Sequence, residues 1–146
     1  MRCRTTADPI STLDSLRVRA KAIADGERPE AALPLLQAAL LLDRDSAETL
    51  ENIGFVDFRQ NRPVEAASVF DRVIASGKGS HISYYYRALL AGPVPERTGG
   101  GGPISEVDYV RKALALNPGF APAVQRLKEL TGGKRYLALQ PSAVRQ

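Results

Sequence analysis

The chain has one cysteine, one histidine and no tryptophan among its 146 residues. A lone thiol, Cys3, excludes an internal disulfide and a thiolate zinc cluster. It lies near the N-terminus, where no role is expected for it. His81 has neither a second histidine nor a cysteine cluster to complete a metal site. With only 4 Phe and 5 Tyr, a core must be built mainly from Leu, Ala, Val and Ile. No run approaches the roughly 20 apolar residues that span a membrane. "MRCRTTADPIST" carries two arginines but no apolar stretch after them, so it does not read as a secretory signal. Acidic residues are missing after Glu129, while Lys134, Arg135 and Arg145 follow. The tail therefore supplies most of the net charge of +4. That is a basic tail on a near-neutral body, not a basic nucleic-acid-binding surface. A single cysteine fits a reducing compartment, and a cytoplasmic protein is expected.

Catalytic patterns are missing as well. The glycines of "PERTGGGGPIS" (95–105) suggest a phosphate cradle, but a P-loop needs G-x-x-x-x-G-K-[ST] between a strand and a helix. Pro103 follows Gly102, and no strand precedes. "SGKGS" (76–80) has a Gly-Lys pair, but Gly79 stands where Ser or Thr is required. Ser80 and Ser83 flank His81 without the G-x-S-x-G turn or the orienting acid of a nucleophilic serine. Catalytic, cofactor and metal residues are accordingly expected to be none, and the chain is not expected to be an enzyme.

What the chain does have is a repeat. "GERPEAALPLLQAALLLDRD" (26–45) and "QNRPVEAASVFDRVIASGKG" (60–79) share an Arg-Pro, a Glu, paired alanines and a helical apolar run. Arg28 and Arg62, Pro29 and Pro63, Ala32 and Ala66, and Leu36 and Phe70 each lie 34 residues apart. That is the length of one helix–turn–helix unit of a solenoid. Helix signals agree. Ser11 or Thr12 caps a helix to about Asp25, and Pro29 opens a second to about Leu42. Others run from Ala47 to Gln60, with Asn61 left-handed beyond it, and from Pro63 to near Ser76. Pro34 falls inside the second helix and should bend it. No segment alternates with period two, so strands are not expected.

Residues 47–80, "AETLENIGFVDFRQNRPVEAASVFDRVIASGKGS", resemble a tetratricopeptide repeat. Leu50 stands at the large position of the first helix, Ile53-Gly54 at the Leu-Gly pair, Ala66 at the helix contact, and Phe70 and Val73 behind it. Gly54 and Ala66 would keep two helices close, while Ile53, Phe58, Phe70 and Val73 fill the seam. Lys78 replaces the terminal proline. Residues 13–46 match through Leu16, Ala20, Ala32, Leu36 and Ala39, with Arg19 in place of Leu. The third unit, 81–120, is six residues longer than the period. Its helices start at Ser80 and Ser105, the latter with Asp108 as a capping pair, and the excess falls in a loop over 92–104. "ALALNPGFAPA" leads into a lone helix over 121–131 that resembles the capping helix of such arrays.

The resemblance implies an all-α, right-handed superhelix of about three helix–turn–helix repeats plus a C-terminal capping helix. A flexible N-terminus (1–10) would precede the repeat domain (11–131), and a basic flexible tail (132–146) would follow. The tetraglycine then reads as a mobile surface loop. The implied function is a scaffold that binds a peptide or partner protein in a concave groove lined by Arg17, Lys21, Phe55, Phe58 and Tyr85. Three successive helical tyrosines, 84 to 86, point about 100° apart, so they cannot all be core. Tyr84 is expected inside, and Tyr85 on the groove face. Phe58 is equally open to packing against neighbouring helices. The family's carboxylate clamp is not expected, because Phe55 stands where an asparagine is needed. No nucleic acid or membrane span is expected. Tyr136, Leu137 and Leu139 of the tail, or an exposed terminal helix, would serve self-association. The alternative is a non-catalytic regulatory or anchoring region of a larger enzyme.

Overall fold

A computed structural model describes residues 9–91 and 104–132, with side chains from Thr12 onward. The stretches 1–8, 92–103 and 133–146 lie outside these described residues, and with them the tetraglycine and the tail tyrosine and leucines. The described residues form seven α-helices and no strand: α1 (Pro9–Ala24), α2 (Leu33–Leu42), α3 (Ala47–Arg59), α4 (Pro63–Ala75), α5 (His81–Ala91), α6 (Glu106–Leu116) and α7 (Ala121–Thr131). The all-α expectation holds for them.

Helix boundaries follow local chemistry. α1 opens at Pro9 rather than at a cap from Ser11 or Thr12, since a first turn has no use for the missing N–H. Pro34 does not bend a long helix. Pro29–Ala32 forms a separate 3-10 turn, and α2 begins afresh at Leu33, which puts Pro34 in its first turn. Ser46 caps α3, its hydroxyl accepting from the Thr49 N–H at 3.2 Å. Asn61 takes the left-handed conformation (φ 57°) beyond α3. Ser105 caps α6, accepting from the Asp108 N–H at 3.2 Å and donating to the Asp108 carboxylate at 2.7 Å. Gly132, also left-handed (φ 60°), follows α7.

The chain divides into two compact units, Met1–Val73 and Ile74–Gln146. In the first, Ala20, Ala24, Ala32, Leu36 and Val56 make a fully buried cluster. Ile23, Leu33, Ile53 and Phe55 pack partly buried against it. In the second, Ala88, Tyr109, Val110, Ala113, Ala123 and Leu127 form the cluster, with Tyr84, Tyr85 and Phe120 packed on it. Each full burial of a Val, Leu or Phe side chain contributes about 1.5–3 kcal/mol.

Burial obeys the sequence period. Ala20, Gly54 and Ala88, successive at 34 residues, are all buried. So are Ala32 and Ala66, and Leu36, Phe70 and Val110, the last after the longer third unit. Ala39, Val73 and Ala113 repeat the pattern. Of the expected seam, Phe70 and Val73 are fully buried, whereas Ile53 and Phe58 are only half-buried and Val56 fills the interior instead.

The α1/α3 arrangement shows how the repeat is built. Arg17 in α1 reaches Ser46 and Thr49 at the start of α3. At the other end, Arg59 of α3 reaches the carbonyls of Ala24 and Gly26 at the end of α1. The middle of α1 meets the start of α3 and the end of α1 meets the end of α3, so the two helices lie side by side and run parallel. Their short connections oblige α2 to run back between them. Contacts in the second unit follow the same logic. His81, at the start of α5, meets Asn117 and Phe120, just ahead of α7.

At Gly54 the Phe70 ring of α4 packs directly against α3. A Cβ there would lie 2.9–3.0 Å from the Phe70 ring atoms, inside any normal contact. Alanine in place of a mid-helix glycine ordinarily stabilises by about 1 kcal/mol. Here Gly54→Ala is expected to lower stability by about 1–3 kcal/mol through overpacking. Urea titration followed by circular dichroism checks the sign.

Candidate functional site

The five expected groove residues divide between the two units, with Tyr85 in the second and the rest in the first. Arg17 and Lys21 share one face of α1, at i and i+4. Phe55, Phe58 and Arg59 lie on α3, which runs beside it. Residues 21 and 55 are one period apart, so Lys21 and Phe55 occupy the same place in successive units.

Arg17 is not a free cation. Its side chain is 18% exposed and lies 3.3 Å from Asp14, 3.5 Å from Glu48 and 3.8 Å from Asp43. It also donates to the Ser46 hydroxyl at 2.5 Å and the Thr49 hydroxyl at 3.4 Å. Ser46 and Thr49 are buried and lie 2.9 Å apart. A guanidinium with five directed donors suits this multiple task better than an ammonium. Arg17 thus ties α1 to the start of α3. Three carboxylates around one cation leave this end of the face acidic.

Lys21 is different. Its side chain is 64% exposed and, among the described residues, pairs with Asp25 at 3.4 Å. An exposed i,i+4 pair is worth about 0.3–0.5 kcal/mol, which a partner's carboxylate can readily replace. Phe55 is half-buried, with one part on the first unit's core and the Arg59 guanidinium 6.0 Å from its ring centre. Arg59 donates to the carbonyls of Ala24 at 2.6 Å and Gly26 at 2.7 Å. The end of α1 leaves carbonyls unpaired, and a cation there meets both their lone pairs and the helix dipole. Phe58 is half-buried.

Tyr85 sits in an aromatic chain. Its ring meets Phe120 edge-on at 5.2 Å and Tyr86 at 5.4 Å, and Phe120 meets His81 at 4.7 Å. It is half-buried against the second unit's core, so packing accounts for part of its surface. Burial pushes its phenol up. Arg126 acts against that rise and Glu129 with it. Arg126 in turn holds the buried Glu106 through Nε and Nη2, both 2.6 Å from one carboxylate oxygen, and meets Glu129 at 3.2 Å. These bonds raise the Arg126 guanidinium above its usual range, the Glu106 hydrogen bond foremost. The pair joins α6 to α7.

The sequence reading missed Ser46, Thr49, Arg59, Phe120 and Arg126 as anchors. Ser46 was detectable, standing just ahead of a helical run. Phe120 lay in a quoted phrase, "LNPGF", but nothing local shows which ring it meets. Arg59 and Arg126 carry no local signal of the groups they anchor, since each reaches a residue 20 or more positions away on another helix or just beyond its end.

Among the described residues no three acidic, histidine or cysteine side chains gather as a metal site, and no helix is long and apolar enough to cross a membrane. Comparison with protein-family models, curated proteins and solved structures finds no match.

Arg59→Ala is expected to destabilise by about 1–3 kcal/mol and to fray the last turn of α1, because two carbonyls lose a charged donor. Arg59→Lys should recover part of this. Hydrogen exchange of the Ala22–Gly26 amides reads the effect locally. Asp57 offers a pH test. Burial pushes its carboxyl up, Arg62 at 3.9 Å opposes this, and Glu65 adds to it. A raised folded-state value favours the protonated form. The stabilisation is complete below the ordinary aspartate range and is lost as pH rises through the raised value. Asp57→Asn should therefore raise Tm at neutral pH and flatten the rise toward mildly acidic pH, measured by thermal melts at successive pH values.

Proposed function

We propose that the chain is a tetratricopeptide-like scaffold that binds a peptide segment of a protein partner on the face formed by α1 and α3. The observation that carries this reading is the parallel, side-by-side placement of α1 and α3, one 34-residue period apart. Successive first helices in that arrangement present matching positions as adjacent stripes, which suits an extended or helical ligand lying across them. The recurrence of small buried residues at 20, 54 and 88 supports the same reading, and continued stacking of this kind would generate a right-handed superhelix.

Within this face the roles differ. Lys21 meets an acidic group of the partner, and Phe55 and Phe58 meet apolar groups. Half-buried rings are well suited to this, because part of each is already fixed by packing and little freedom is lost on binding. Arg17 acts as a strut and not as a partner contact, since its donors are already committed. Tyr85 lies in the second unit, one period beyond Glu51, and does not belong to the α1/α3 face.

Affinity capture with the full chain tests the proposal. Lys21→Glu and Phe55→Leu should each reduce recovery of the bound partner by about tenfold or more, with helix content and Tm nearly unchanged. Equal recovery by all variants would show that the α1/α3 face is not the binding surface.

A further inference from the structure

We draw no further inference here: the strongest candidate, the rim of carboxylates from Asp14, Asp43 and Glu48 at the end of the α1/α3 face, is already engaged with the Arg17 guanidinium, and nothing in the structure shows what ligand or partner covers it.

Discussion

The close approach of helices at residues with almost no side chain is the constraint on which the structure depends. Gly54 admits the Phe70 ring to the surface of α3 with no room for a methyl group. Ala20 and Ala88, one period before and after, are equally buried. Near contact allows a modest set of residues, mostly Ala, Leu and Val, to exclude water without tryptophan and with few phenylalanines. Dispersion rewards such proximity, and a gap of even a fraction of an ångström forfeits much of it. Small residues at one position therefore determine which large residues are useful at others, and Phe70 is the clearest case.

Apolar packing sets the spacing of helices within a pair, while arginines fix how one pair meets the next. Arg17 and Arg59 tie α1 to opposite ends of α3, one through buried hydroxyls and the other through carbonyls at a helix end. In the second unit Arg126 performs a similar task on Glu106. Guanidinium groups suit these positions because several donors can be directed at once. The consequence for function is a division of labour among cations. Arg17 holds the face together, and Lys21 is left pointing outward.

Much of the fold was legible in the sequence. The 34-residue spacing, the prolines at first turns, the Ser105 cap and the left-handed Asn61 are all local signals, and each corresponds to an observed element. Pro34 was misread because a 3-10 turn and a helix share nearly the same apolar spacing over a few residues, and only the backbone separates them. The site was less legible. Lys21 and Phe55 could be placed on a face from helical periodicity, but whether a cation is free depends on which distant groups approach it. Asp43, Ser46 and Glu48 lie about 30 residues from Arg17, and no local pattern pairs them. Tyr85 was similarly placed on a face without the knowledge that Phe120 would cover part of its ring.

Hydrogen–deuterium exchange on the full chain, free and saturated with a partner recovered by capture, tests the central claim most directly. The account predicts slowed exchange concentrated in α1 and α3, at residues 14–25 and 47–59, with the Gly54 contact to α4 unaffected. Protection confined to α6 and α7, with α1 and α3 unchanged, would contradict it.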